Sequence, residues 1–285
     1  METKDEAEVK KNATEIREFM LSVFPEDEVD TEAYMSYCLR DKTANFHIAR
    51  NEAGKIISLL YGKLLELNNG KEASKESAYF IWNVVTDAQY QKKGLGRELY
   101  IDAFSKAHQQ ASENQQKIKA VVGETVPEVE GYLNKFGRKR VYFKNDKGDL
   151  CEVPFLQPPV EEDADIPEPE ETHVMVRMMD GRDKITTKEF MSLLKPAYED
   201  NYAGVDYAIK YQDYSREEAE EFRDGIMKFY NALEQKLQGA ENGDILLLSA
   251  EEREQELKRL GNEGKKSVSI TEQVQDQIEE WEKNN

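Results

Sequence analysis

The stretch AYFIWNVVTDAQYQKKGLGREL, residues 78–99, constrains the fold of this chain more than any other segment. Its first eight residues are mainly aromatic and β-branched, which favours a buried strand, and a polar turn follows. Gly94 and Gly96 then open a helix, and three basic side chains surround its start. Backbone N–H groups and the helix dipole attract anions at such a position. The stretch therefore predicts an anion site at a strand-to-helix turn.

Two nucleotide-binding motifs do not fit this turn. A Rossmann site needs G-x-G-x-x-G after a first strand, but the third glycine is absent and the turn follows the third predicted strand. A Walker loop needs Gly-Lys followed by Ser or Thr, which the chain does not contain. Both readings are excluded.

Negative charge is concentrated in the second half of the chain. The net charge is −19, and residues 158–285 carry 16 Lys and Arg against 32 Asp and Glu, a net of −16. Nucleic acid and anionic membranes would repel that half, so neither is expected as a partner. A cationic acceptor or partner is electrostatically more reasonable, although acidic surfaces also serve solubility alone. The oligomeric state is left open.

The remaining composition favours a cytoplasmic protein. The first residues, METKDEAEVKK, are polar and lack the apolar core of a secretory signal, and no apolar run approaches the roughly 20 residues of a membrane span. Cys38 and Cys151 lie far apart and are expected to be reduced thiols. The three histidines show no metal-type spacing with each other or with the cysteines, so no metal site is expected.

The segment QPPVEEDADIPEPEETH, residues 157–173, divides the chain. Four prolines and seven acids predict an extended, solvated linker. We expect a domain at 1–157, a linker at 158–171 and a mainly helical acidic domain of unknown role at 172–285. Apolar spacing predicts helices near 5–24, 31–39, 94–111 and 127–137, with strands in FHIAR, KIISLLYGKLLEL, AYFIWNVV, KIKAVVGE, RKRVYF and LCEVPFL. Beyond the linker, THVMVRMMD is expected to be a strand, DILLLS a strand or a helix entry, and Ser215 and Ser249 begin capping boxes before helices.

Two motifs resemble the GCN5-related N-acetyltransferases. QKKGLG, residues 91–96, fits that family's Q/R-x-x-G-x-G/A signature. Some 36 residues further on, VEGYLNKFGRKRVYF resembles its a-x-x-Y-x-k-x-G-F segment, with Tyr132, Phe136 and Gly137 in register. The resemblance covers roughly residues 40–157. It implies an α+β fold with a mixed, mainly antiparallel central sheet flanked by helices.

The resemblance also implies a function, the transfer of an acetyl group from acetyl coenzyme A directly to an amine. Main-chain groups at the end of the central strand would pair with the pantetheine arm, amides of the glycine turn would hold the pyrophosphate, and Tyr132 would protonate the leaving thiolate. A backbone N–H near Val84 would polarise the thioester carbonyl. The cofactor-binding residues implied are Val84, Val85, Thr86, Gln91, Lys92, Lys93, Gly94, Leu95, Gly96 and Arg97.

The general base is a point of departure from the family. Some members carry a glutamate on the central strand where this chain has Asn83, and an amide cannot accept the proton of an amine. Glu124, at the end of the next strand, is the substitute candidate for the general base, and Asp87 is the second candidate. Arg138 stands where an aromatic residue usually follows Gly137. The family's first strand is also missing before the first helix, unless a segment such as THVMVRMMD takes its place.

Two functions therefore remain in view. The first is an acetyl-CoA-dependent N-acetyltransferase whose acceptor is a small molecule, a peptide N-terminus or a lysine. The second is a non-catalytic acyl-CoA-binding module whose acidic C-terminal region engages a protein partner, and Asn83 favours it. The segment AYEDNYAGVDYAIKYQDY, residues 197–214, places five tyrosines among acids. It either packs its rings in a core or lines a site for a cationic amine.

Overall fold

A computed structural model describes residues 6–24, 29, 31–67, 75–125, 127–153, 173–202, 207, 209–210, 214–238, 240 and 243–261. The predicted linker at 158–171 lies outside the described residues. Within the described ranges, no helix is both long and apolar enough to cross a membrane.

One mixed sheet organises the chain. Its strands are β1 Ala44–Arg50, β2 Ile56–Glu66, β3 Glu76–Thr86, β4 Lys117–Thr125, β5 Lys139–Lys144, β6 Leu150–Glu152, β7 His173–Met178, β8 Lys184–Thr186 and β9 Asp244–Leu248. The strand order is β1-β2-β3-β4-β7-β5-β9-β8, and β6 pairs with β5. Only β3 and β4 run parallel among these pairs. This mainly antiparallel sheet confirms the predicted fold class.

Helices cover both faces of the sheet. They are α1 Glu6–Leu21, α2 Glu32–Arg40, α3 Leu95–Glu113, α4 Pro127–Asn134, α5 Thr187–Pro196, α6 Arg216–Leu237 and α7 Ala250–Arg259. A 3₁₀ turn, Ala88–Tyr90, precedes α3, and a π-helical turn, Ala197–Tyr202, follows α5. Both predicted capping boxes are present, at Ser215 with Glu218 and at Ser249 with Glu252.

The two faces of the sheet bury different helices because strand side chains alternate. On one side, here called the α3 face, Ile81 and Val121 pack with Leu99 and Tyr100 of α3. On the other, the α5 face, Phe80 and Val122 pack with residues of α5, the π-helical turn and α6. Helices α1 and α2 cover the same side near β2, where Leu59 joins their apolar residues. The candidate site lies within the sheet, between these two faces.

Strands from both sides of the predicted linker share this sheet. β7, formed by THVMVRMMD, pairs with β4 on one edge and with β5 on the other. It therefore lies in the interior of the sheet, and no strand lies beyond β1 among the described residues. One apolar cluster includes Phe80 and Val122 together with Phe190 and Leu233. The two predicted domains are thus joined by one sheet and one core, and the linker boundaries themselves stay a prediction.

β3 and β4 separate towards their C-terminal ends. Their register runs from Glu76 opposite Lys117 to Phe80 opposite Val122 and stops there, although β3 continues to Thr86 and β4 to Thr125. A β-bulge in the β2–β3 pairing falls at the same level, since Tyr61 opposes Asn83 while Gly62 opposes Ile81. Bulges redirect strands next to active sites. The separation leaves a gap between the two parallel strands in the middle of the sheet.

Candidate active site

The glycine turn has the backbone shape of an anion cradle. Lys92 and Gly94 both have positive φ, 61° and 87°, and α3 begins at the next residue, Leu95. No side chain caps the helix start at Gly94, and the first intrahelical bond runs from the Glu98 N–H to the Gly94 carbonyl. The N–H groups of the first turn of a helix have no acceptor within it. They are therefore aimed out of the helix start, as phosphate binding requires.

Three elements meet at Gly96. A Cβ added to this glycine would lie 2.8 Å from the Tyr132 hydroxyl and 3.8 Å from Cγ1 of Val84. Tyr132 comes from α4, Val84 from the separated end of β3, and Gly96 from the first turn of α3. Residues predicted from two motifs far apart in sequence thus lie in contact distance at the mouth of the gap. Glycine is needed here because any side chain would fill that space.

The rest of the glycine turn is exposed or engaged with its surroundings. Lys92, Lys93 and Arg97 are exposed, and the Lys93 ammonium lies 4.7 Å from the centre of the Tyr90 ring. The Gln91 side-chain amide donates to the Thr86 carbonyl at 3.2 Å. This bond ties the turn to the end of β3, so that strand and helix start are held together.

Of the three strand residues implied in pantetheine pairing, Val84 points to the α3 face. Val85 is buried on the opposite face, and its carbonyl accepts from the Ser58 hydroxyl at 2.8 Å. Only backbone groups of Val85 can therefore take part. The Thr86 hydroxyl lies 2.8 Å from that of Ser58.

The gap is lined by buried polar atoms that lack a hydrogen-bond partner within the described structure. Buried polar groups are almost always satisfied, so each exception needs an explanation. These atoms belong to Trp82 Nε1, Glu124 Oε1, Tyr132 Oη, Arg138 Nε and Arg138 Nη2. Their residues lie on the separated ends of β3 and β4 or contact the glycines beside them, as expected of a site whose ligand supplies the missing partners.

Tyr132 has the environment of a proton donor. It is half-buried, and its ring packs edge-on against Phe136 at 5.1 Å, while Phe136 stacks on Tyr100 at 4.2 Å. Burial, with a smaller contribution from Tyr100, raises the pKa of the Tyr132 hydroxyl above its ordinary value. The hydroxyl is therefore protonated at neutral pH.

Glu124 lies on the α5 face of the gap. Side chains alternate along β4, and Glu124 follows Val122 on the side of the π-helical turn, where its charge acts on buried Tyr198. Desolvation raises the pKa of the Glu124 carboxyl to about 8, although the Arg138 guanidinium opposes the shift. A carboxylate of that pKa is a competent base near neutral pH.

Asp87 has a structural role instead. Its carboxylate accepts from the Gln89 N–H at 2.9 Å and caps the 3₁₀ turn before the glycine turn. Asn83 lies on β3 beside the bulge, opposite Tyr61. Neither residue is placed as Glu124 is, half-buried with one buried oxygen that lacks a hydrogen-bond partner.

Sequence reasoning did not predict that Arg138 would be buried beside the gap. This guanidinium is buried, with 1% of the residue exposed, and a Cβ on Gly123 would collide with its Nη2. The only sequence signal was the departure from an aromatic residue after Gly137. The bulge at Trp82 carried no signal, because bulge residues need no special composition.

The tyrosine-rich segment mainly packs its rings. Tyr198 is buried and meets Tyr230 edge-on at 5.6 Å. Tyr207 meets Tyr34 of α2 edge-on at 5.1 Å, and its hydroxyl lies 3.1 Å from that of Thr31. Tyr211 lies outside the described residues.

Two of the three histidines contact a carboxylate. His47 contacts Asp102 at 2.6 Å, and His173, opposite Thr125 of β4, contacts Glu152 at 2.5 Å. Cys38 and Cys151 are buried thiols, and neither is in a disulfide. Across the part of the chain that the structure describes, no three His, Cys, Asp or Glu side chains are grouped to hold a metal ion.

Comparisons with known proteins add the following. No family model matches the chain, and no curated protein matches it. Among solved structures, Arabidopsis thaliana NAA60 in complex with a bisubstrate analogue is 9% identical, with a TM-score of 0.41, over 59% of this chain and 94% of that one. Tetrahymena GCN5 is 12% identical, with a TM-score of 0.35, over 59% and 87%.

An aminoglycoside acetyltransferase from an uncultured soil metagenomic sample, in complex with trehalose, is 20% identical with a TM-score of 0.33. The match covers 46% of this chain and 80% of that chain. In its two motifs and among solved structures alike, the chain is similar to acetyltransferases.

Proposed function

We propose that the protein is an N-acyltransferase that moves an acetyl group from acetyl coenzyme A directly to an amine. The observation that carries the proposal is the meeting of Gly96, Val84 and Tyr132 at the mouth of the gap between β3 and β4. Anion cradle, strand end and acid are the three parts that a coenzyme A thioester needs. The chain brings them together from three separate elements.

Donor binding follows from the elements in contact. The first N–H groups of α3, from Leu95 to Arg97, would bind the pyrophosphate, with the Lys92 and Lys93 side chains at its rim. The pantetheine arm would then run past Gly96 into the gap, where β3 beyond Phe80 has no strand partner on its β4 side among the described residues. An extended ligand can hydrogen-bond to such an edge like an added strand.

The chemistry needs one proton acceptor and one proton donor. Glu124 would take the proton of the attacking amine from the α5 face, and the amine nitrogen would form a bond to the thioester carbon. The carbon–sulfur bond would break, and Tyr132 on the α3 face would protonate the leaving thiolate. Base and acid thus lie on opposite sides of the sheet, so donor and acceptor approach the gap from opposite faces.

The acceptor would be an amine, and a cationic one suits the charge of the chain. Residues 158–285 carry a net charge of −16, and the described part of that region covers the α5 face beside Glu124. A negative surface raises the local concentration of cationic substrates. Small amines, peptide N-termini and lysine side chains all meet this description.

The test is thiol release from acetyl coenzyme A in the presence of a panel of primary amines. We expect turnover in the wild type, and Tyr132→Phe should lower kcat by about 10²- to 10⁴-fold with little change in the KM of acetyl coenzyme A, because it removes the acid but keeps the ring. Tyr214→Phe, whose ring meets Phe222 of α6 edge-on, is the matched control. Donor binding without turnover across the panel would contradict catalysis and support the non-catalytic acyl-CoA-binding module, which Asn83 favours.

A further inference from the structure

Arg138 is a buried cation that the proposed reaction does not use. It is the largest fully buried side chain among the described residues, and its Nε and Nη2 have no hydrogen-bond partner in the described structure. Desolvation lowers the pKa of the guanidinium. An arginine in a protein nevertheless stays charged.

The guanidinium lies at the closed end of the gap. Gly123 is the first β4 residue beyond the last β3–β4 pair, and a Cβ there would collide with both Arg138 Nη2 and the Ile81 carbonyl. Gly123 shares the α3 face with Val121, since side chains alternate. Arg138 therefore lies on the α3 face, on the side of Gly96 and Tyr132 from which the donor enters.

The groups near Arg138 do not neutralise it by contact. Its charge acts on the Tyr100 hydroxyl and on Glu124, but no ion pair joins Arg138 to a carboxylate among the described residues. The contrast with Arg140 is informative. That second buried arginine, two residues on, pairs with Glu130 at 2.8 Å and Glu152 at 3.4 Å.

A buried charge without a partner is strongly destabilising, so such groups are normally paired. Arg138 has two donors on one edge of its planar fork unpaired, and that edge matches the two oxygens of a carboxylate. A neutral acetyl group would leave the cation uncompensated. A permanent anion at the end of the acyl group would satisfy both the charge and the donors.

We propose that the preferred acyl donor is a coenzyme A thioester of a short dicarboxylic acid, whose free carboxylate binds Arg138 at the closed end of the gap. The inference rests on the proposed function and specifies its donor. Acetyl coenzyme A has the same nucleotide, pantetheine and thioester, so it remains a substrate of lower kcat/KM.

The group transfer balances as for acetyl. The amine nitrogen forms a bond to the thioester carbon, its proton passes to Glu124, the carbon–sulfur bond breaks and Tyr132 supplies the proton of the free thiol. The remote carboxylate takes no part in bond making. The product is an amide bearing a carboxylate, so a cationic acceptor changes its charge by −2.

The test compares donors of equal shape and different charge. Malonyl coenzyme A and isovaleryl coenzyme A differ only by two carboxylate oxygens in place of two methyl groups, and succinyl and acetyl coenzyme A extend the series. Calorimetry without acceptor gives Kd, and thiol release gives kcat/KM. We expect a carboxyacyl ester to bind about 10- to 100-fold more tightly than its neutral counterpart.

Variants at position 138 identify the residue responsible. Arg138→Met should abolish the preference for the carboxyacyl ester over its neutral counterpart, and Arg138→Lys should retain part of it. Replacing an unpaired buried cation by an apolar side chain is expected to keep or raise the Tm. If Arg138→Met fails to fold, the wild-type preference alone still decides.

The outcomes separate the two proposals. Equal binding of malonyl and isovaleryl coenzyme A overturns the carboxylate inference and leaves the acyltransferase standing. Failure of every coenzyme A ester to bind overturns both. The acceptor side is tested by comparing an amino acid with the amine that its decarboxylation gives. If only acceptors show a preference for a carboxylate, and Arg138→Met loses that preference, then Arg138 binds a carboxylate of the acceptor and the donor assignment is overturned.

Discussion

In the proposed reaction, Glu124 and Tyr132 would divide the proton chemistry because the sheet separates them. Glu124 points to the α5 face with a pKa of about 8, while burial keeps the hydroxyl of Tyr132 protonated on the α3 face. Two groups whose environments set their pKa values apart are suited to act as base and acid. Asn83, on β3, leaves the base to the neighbouring strand.

The pH dependence of the rate tests Glu124. The base acts as a carboxylate, and its pKa is raised, so kcat/KM should rise as pH passes through about 8. Glu124→Gln should remove this limb and lower the rate by about 10²- to 10⁴-fold. Glu76→Gln, at the far end of β3, is the control for loss of a carboxylate. An unchanged pH profile in Glu124→Gln would exclude Glu124 as the base.

The sequence allowed some site residues to be named but not others. Gly96 and Tyr132 belong to local motifs, and those motifs predicted their types before any contact was known. The positions of Arg138 and of the bulge at Trp82 depend on which strands pair with each other, and residue spacing does not predict strand pairing. Glu124 falls between the two, since its strand was predictable but its burial was not.

At the scale of elements, the site is a junction of one strand pair and one helix start. β3 and β4 separate after Phe80 and Val122, and α3 begins at the end of the turn that follows β3. The helix start offers unpaired N–H groups, while three exposed cations, Lys92, Lys93 and Arg97, add long-range attraction. The two contributions should respond differently to mutation and salt.

Charge removal at the rim should weaken nucleotide binding alone. Replacing Lys92, Lys93 or Arg97 singly by Gln should raise the Kd of acetyl coenzyme A by about 2- to 5-fold, as for exposed ion pairs, and added salt should shrink the difference. Lys106→Gln, exposed further along α3, is the control. S-acetylpantetheine, which lacks the diphosphate, should bind all four variants alike. A matching loss for that ligand would show that the rim acts through the fold.

For the whole molecule, the main finding is that one sheet crosses the predicted domain boundary. Helices and strands before the linker were predictable because each follows from local periodicity. The position of β7 between β4 and β5 was not, since strand pairing joins residues distant in sequence. β8 and α5 were not predicted individually, although Thr186 and Glu189 have the spacing of a helix N-cap. In the structure, the Thr186 hydroxyl accepts from the Glu189 N–H at 3.1 Å.

Truncation tests this shared architecture. A fragment of residues 1–157 would lack β7, leaving an edge of β4 unpaired and exposing the core residues that Val174 and Val176 cover. We expect no cooperative thermal transition for the fragment and a single transition for the full chain. The fragment 172–285, added in trans, should restore structure if any assembly occurs. A fragment 1–157 that folds alone and binds acetyl coenzyme A would contradict one shared core.

The central claim is that the gap beside Gly96 binds a coenzyme A thioester, and calorimetric titration with acetyl coenzyme A tests it most directly. Gly96→Val places a side chain against the Tyr132 hydroxyl and the pyrophosphate-binding amides, whereas Gly225→Val, on α6, meets nothing within 4 Å and is the matched control. We expect the wild type and Gly225→Val to bind acetyl coenzyme A. Folded Gly96→Val should bind it about 10-fold or more weakly, a loss of about 1.4 kcal/mol of binding free energy. Equal affinity in all three proteins, or no binding by the wild type, would contradict the central claim.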